Sequence, residues 1–271
     1  MLKHKRLKTV GFLALCLPLC GAWTAAPAEA AEEVYYTGVD VISTYASSVT
    51  STEISFTAKT VVEDTNTPNN APRYSSYNLA NACGAVAGSI AVGYYDKYYT
   101  NMIAGWDSYF STGSYRSMNE TYIKPLQENL YAKMKISEQG VTESNFKSGL
   151  DSYISGQGYS VTYEEIGNKS TFNYDKFKSS IDNSEITALF VYPSNIYTLS
   201  EGNKKDTLVA TYVSSNHIMI AFGYYEVKYT LSTGGTRTDK YLKVSSGLLG
   251  QELALYKVGS YLESADIIHI S

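Results

Sequence analysis

The sequence predicts an α+β fold, with a helical first half packed on an antiparallel sheet supplied by the second half. Two observations carry this reading. Between residues 83 and 181 the apolar side chains recur at helical spacing, whereas from residue 186 onward they fall into short strand-like runs separated by glycine turns such as "STGG". Helices and strands are therefore segregated along the chain rather than alternating, and no internal repeat interrupts the pattern.

Residues 1–30 combine a basic start (Lys3, Lys5, Arg6, Lys8), an apolar stretch to about Trp23 and the small-residue end Ala28-Glu29-Ala30. This is a secretory signal pattern with cleavage expected after Ala30, and Cys16 and Cys20 would leave with it. Pro18 interrupts the run and bulky Leu19 precedes Cys20, so a membrane span and a lipid anchor are both disfavoured. Localisation outside the cytoplasm, secreted or in the cell envelope, is the expectation.

Residues 34–62 read as strands, with Ile54, Phe56 and Ala58 alternating against Ser55, Thr57 and Lys59. The polar "EDTNTPNNAPR" that follows reads as a linker or long loop. The expected organisation is a signal peptide over 1–30, a strand-rich extension and linker over 31–72, and one main domain over 73–271. The alternation favours an extension that stays on the body rather than a removable pro-segment.

In the main domain, Val86, Ile90, Tyr94 and Tyr98 predict a central, mostly buried helix from Cys83 to Tyr99. A second helix carries Ile123, Leu126, Leu130 and Met134, and Pro125 places its first turn there. A third starts after Thr142 and stops at Gly156, and a short fourth spans about Asn173 to Ile181. The runs "ITALFVY", "HIMIAFGYYEVKYTL", "DKYLKVS", "ELALYKV" and "ADIIHI" supply the strands.

Charge excludes some functions. The full chain carries net −4, and the signal segment removes four basic and only one acidic residue, so the remainder is more acidic still. Nucleic acid and anionic lipid are poor partners for such a surface. One cysteine and two separated histidines beyond the signal give no metal spacing, and no glycine-rich phosphate loop is present, so no cofactor is expected. A monomer is expected, with no membrane anchor after signal cleavage.

What stands out is Cys83, an unpaired thiol in an exported chain, at a predicted helix start. The helix dipole supplies at most about 2 kcal/mol, or roughly 1.5 pKa units, so a full thiolate needs a cationic partner. His217, at the edge of the "HIMIAFGYY" run, and His269, near the C-terminus, are the available imidazoles. His269 reads as structural.

"NACGAVAGSIAVGYY" resembles the helix opening of papain-like bacterial cysteine peptidases, especially those related to bacteriocin-leader peptidases, and "NHIMIAFGYYE" resembles their histidine strand. The separation of Cys83 from His217 lies within the roughly 130 to 150 residues of the papain-type pair. The resemblance covers about residues 73–271. It implies a papain-like peptidase fold and hydrolysis of peptide or isopeptide bonds in a peptide or protein substrate, with a Cys83 thiolate as nucleophile and His217 as its ion-pair partner and general acid. It further implies an oxyanion site made by the Cys83 N–H and an upstream amide, for which Asn78 is the better placed and Asn81 the weaker, Asn81 also fitting a helix cap. The family's residue that orients the histidine falls in "KVSSG", where there is no Asn or Asp; Ser245 takes its place, or Ser246 after a one-residue slip. That departure keeps open a weakly active or inactive binding or adhesion protein, and the same thiolate chemistry keeps open an acyl-transferring relative.

Overall fold

The computed structural model describes residues 33–38, 49–64, 71–77, 79–116, 119–169, 171–259 and 261–271. The segment expected as a signal peptide and Asn78 lie outside the described residues. In chain order the elements are strands β1 (Tyr35–Tyr36) and β2 (Val49–Glu63), helices α1 (Cys83–Tyr95) and α2 (Glu120–Lys133), strand β3 (Val141–Thr142), helix α3 (Glu143–Gly156), strands β4 (Val161–Asn168) and β5 (Thr171–Phe172) and helix α4 (Tyr174–Asp182). Then follow β6 (Ile186–Val191), β7 (Ser194–Ser200), β8 (Lys205–Val213), β9 (His217–Leu231), β10 (Thr236–Ser245), β11 (Leu253–Tyr256) and β12 (Leu262–Ile270).

Among the described residues strand outweighs helix, 43% against 23%, and this corrects the sequence-based fold class: the architecture is not a helix-first papain-like α+β fold but a β-rich one with a closed six-stranded barrel. Around the barrel the staves run β9, β2, β8, β7, β11, β10, and β10 returns to β9. Beyond β9 the sheet continues through β6, β12, β4 and β5.

Closure depends on β9, which is fifteen residues long. Its first residues pair with β6 (His217 opposite Val191, Ala221 opposite Thr187), and its last pair with β2 (Tyr225 opposite Glu63, Leu231 opposite Phe56). One strand thus belongs to both the open sheet and the barrel. Register shifts between Phe56 and Ala58 in β2 and between Lys243 and Val244 in β10 supply the local bending that closing a sheet requires.

Two staves escaped the sequence reading. β7 and β8, "SNIYTLS" and "KDTLVATYV", mix Ser and Thr among their apolar residues and interleave buried positions with exposed or half-exposed ones, so their apolar signal is weak. β2 is itself a stave between β8 and β9, which builds the region expected as an extension into the barrel wall. Of the expected linker, Ala71 and Pro72 are buried rather than exposed.

Helix α1 packs on the Ile218, Ile220 and Phe222 face of β9, with α2 and α3 behind it, and α4 packs on the opposite face with Met219 and Ala221. All thirteen residues of α1 are buried, which explains its small, unbroken apolar sequence. It stops at Tyr95 rather than Tyr99, because the buried Asp96 carboxylate turns the chain by accepting from Ile103 N (3.3 Å) and Ser108 N (2.7 Å). α2 starts at Glu120 with Asn119 as its cap, so Pro125 lies inside the helix and not in its first turn. α3 is capped as expected by the Thr142 hydroxyl, which accepts from Asn145 N at 3.2 Å. α2 and α3 meet at Gly149, where an added Cβ would lie 2.6 Å from the backbone nitrogen of Met134.

Candidate active site

Cys83 opens α1 and His217 opens β9, and both face one point at the starting end of that interior strand. A Cβ built on Gly38 would lie 3.3 Å from the Cys83 Sγ and 3.1 Å from the His217 Nδ1. Cys83 is 6% exposed and His217 2% exposed.

The imidazole tautomer follows from its partner. Nε2 is 2.7 Å from the backbone oxygen of Ser246, which can only accept, so Nε2 carries the proton. Nδ1 is then the bare nitrogen in the neutral ring, and it is buried without a hydrogen-bond partner. The Ser246 carbonyl is held by its own turn: the Ser246 hydroxyl accepts from Leu248 N (3.1 Å) and donates to Gln251 O (2.6 Å), and Ser246 N donates to Glu252 O (2.9 Å).

This replaces the expected role of Ser245. Its buried hydroxyl donates to Pro72 O at 2.6 Å, tying the end of β10 to the stretch that leads into α1. The orienting group for His217 is a main-chain carbonyl one residue later, which no side-chain pattern in the sequence announces.

The upstream amides also differ from expectation. Asn78 lies outside the described residues, but the segment before it is fixed by Gln127, a residue the sequence reading did not single out. Gln127 is fully buried; its amide donates to Ser75 O (2.9 Å) and accepts from Tyr77 N (3.3 Å). Asn81 does not cap α1, whose cap position is Ala82 with no side-chain bond. Instead Asn81, at φ +53°, donates to Ser137 O (3.2 Å) and Glu138 O (2.9 Å), joining the start of α1 to the turn before β3.

Electrostatically the pair is neutral at rest, in contrast to the expected thiolate–imidazolium pair. Burial pushes the Cys83 thiol up to about 12, against the backbone N–H groups of Ile218, Gly84 and Cys83 that face the sulfur and favour the thiolate. Burial likewise lowers His217 to about 4, although the Ser246 carbonyl favours the protonated ring. His217 therefore binds its proton more weakly folded than at its ordinary 6.5. Its contribution to stability is full above pH 6.5 and is lost as pH falls toward 4, on the order of 3 kcal/mol in all. Urea unfolding at pH 7 and pH 4.5 should show this loss in the native protein and a smaller one in His217→Gln; equal losses would place the imidazole in solvent.

His269 stands apart, its Nδ1 2.7 Å from Glu185 Oε1. Among the described residues there is no cluster able to hold a metal ion, and no helix is long and apolar enough to cross a membrane. A cavity of about 300 Å³ lined by Tyr197, Phe222, Tyr225, Lys243 and Leu255 opens along the barrel wall and includes neither Cys83 nor His217. No family model, curated protein or solved structure matches the chain.

Proposed function

We propose that the chain is an exported cysteine peptidase acting on peptide or isopeptide bonds of a protein substrate. The observation that supports this is the bare Nδ1 of His217, buried, unpaired and turned to the point that Cys83 Sγ also faces. An unprotonated ring nitrogen without another partner, beside a thiol, is placed to take that thiol's proton.

In the first step the thiol proton passes to Nδ1 as the sulfur attacks the substrate carbonyl, so charge develops only when substrate has arrived. The oxyanion is received by the N–H of Cys83, at the positive end of α1. The imidazolium then returns its proton to the leaving amine, giving a thioester. Water, losing a proton to the same Nδ1, attacks the thioester carbonyl, and the returning proton regenerates the thiol. Throughout, Nε2–H remains on the Ser246 carbonyl, which fixes the ring but adds no formal charge.

A peptidyl epoxide tests the reading. Covalent labelling of Cys83, read by intact mass and peptide mapping, should occur in the native protein and fall by at least about 100-fold in rate in His217→Gln, the range of a lost general acid–base group. Labelling that ignores His217 would leave a binding protein with a buried thiol.

A further inference from the structure

Residues 33–38 cross the site as an extended strap. β1 pairs antiparallel with β3, Tyr35 opposite Thr142 and Tyr36 opposite Val141. Tyr36 is 1% exposed, its ring edge-on to Phe190 with centroids 5.3 Å apart, and Phe190 packs in turn on Phe146. Beyond it, Gly38 N donates to Asn216 O at 2.9 Å, the Asn216 amide donates to Tyr35 O at 2.8 Å, and the Ser215 hydroxyl donates to Gly38 O. The two residues immediately before His217 therefore hold both ends of the strap.

Two glycines make this fit possible. Gly38 has φ +67°, and a Cβ there would lie 2.6 Å from Cys83 Cβ, so the strap's main chain rests directly on the nucleophile. Gly140, at φ +100°, leaves room on the other side: a Cβ there would lie 2.3 Å from Tyr36 O. Main-chain pairing on one flank, a filled aromatic pocket and a side-chain-free residue over the sulfur are how an extended peptide is held beside a thiol.

We propose that Tyr36-Thr37-Gly38 occupies the peptide cleft as a built-in inhibitor, and that the cleft accordingly takes extended segments with an aromatic residue two positions before a glycine. This rests on the peptidase reading for its substrate side. The occupancy itself does not depend on catalysis. The closed state is a blocked one, because Gly38 O is directed to the Ser215 hydroxyl rather than to the start of α1. Opening requires that the strap leave β3, the Phe190 pocket and its bonds to Ser215 and Asn216, while β2 stays in the barrel.

The test is the rate at which iodoacetamide alkylates Cys83 in the full chain at pH 8, followed by intact mass. Gly38→Ala, which cannot keep the strap on Cys83, and Asn216→Ala, which frees Tyr35 O, should each raise the rate by about 10-fold or more, as a site that had reacted only through local opening becomes accessible. Adding the peptide acetyl-Tyr-Tyr-Thr-Gly-amide should slow the reaction of Gly38→Ala again in a saturable way, and its Tyr-Ala-Thr-Gly counterpart should not. Both variants are also made with His217→Gln, where the same acceleration is expected. If acceleration persists there while the epoxide fails to label Cys83 even in the opened Gly38→Ala protein, the peptidase reading alone is lost. Native alkylation rates in whichever of Gly38→Ala and Asn216→Ala retains a cooperative unfolding transition, or acceleration with no protection by the tyrosine peptide, would overturn the proposal.

Discussion

Cys83→Ala should lower the release of peptides from a denatured protein by at least about 10⁴-fold, in both the native protein and the Gly38→Ala protein, the scale set by removing a covalent nucleophile. The scale is large because, among the described residues, no hydroxyl near the site is free to replace the sulfur. The neighbouring hydroxyls donate elsewhere, Ser245 to Pro72 O, Ser246 to Gln251 O, and Ser215 and Thr37 to Gly38 O. A backbone N–H at the start of α1 stabilises an oxyanion but does not attack a carbonyl. Because both members of the pair are neutral at rest, the activity should not require a thiolate formed beforehand. It should instead decline as pH falls toward the lowered range of His217, below its ordinary 6.5, since protonated Nδ1 cannot accept the thiol proton. Hydrolysis by Cys83→Ala at the native rate would remove the peptidase assignment.

The parts of this site that the sequence displayed are those tied to local pattern. A cysteine at the first turn of an apolar run and a histidine at the head of another are visible in one dimension, and the structure brings those two side chains together. What was hidden is non-local or belongs to the main chain. The Ser246 carbonyl has no side-chain signature, and Gln127 resembles any helix glutamine until Ser75 and Tyr77 are placed beside it. Gly38 and Gly140 were the legible clue that went unused, since glycines in "YYTGVD" and "SEQGVT" mark places where backbone must pass close to something. The fold failed for a related reason. The helices and the apolar strands were read from periodicity, but barrel closure lies in pairings between residues more than a hundred positions apart, such as Val61 with Val227. Polar staves such as β8 carry little periodic signal of their own.

Asp206→Ala tests that closure and should cost about 3 to 5 kcal/mol of unfolding free energy, the usual loss when one member of a buried charge network is removed. Asp206 is fully buried on β8. Its carboxylate accepts from Lys59 Nζ of β2 at 3.1 and 3.0 Å, from Gly202 N at 3.0 Å and from the Tyr229 hydroxyl of β9 at 2.9 Å. Three adjacent staves thus share one anion, and after the register shift between Phe56 and Ala58 it is Lys59, not Ala58, that turns to the buried side of β2. Burial alone would raise the carboxyl; the donors from Gly202, Lys59 and Tyr229 overcome it and hold the group below the ordinary carboxylate range. A lowered folded value means the stabilisation is full above the ordinary carboxylate pKa and is lost as pH falls through the folded one. The alanine variant should accordingly differ most from the native protein at neutral pH and converge on it in strong acid. Urea unfolding at pH 7 measures the difference; a loss below about 1 kcal/mol, the value of an exposed ion pair, would mean that β2, β8 and β9 do not meet around this carboxylate.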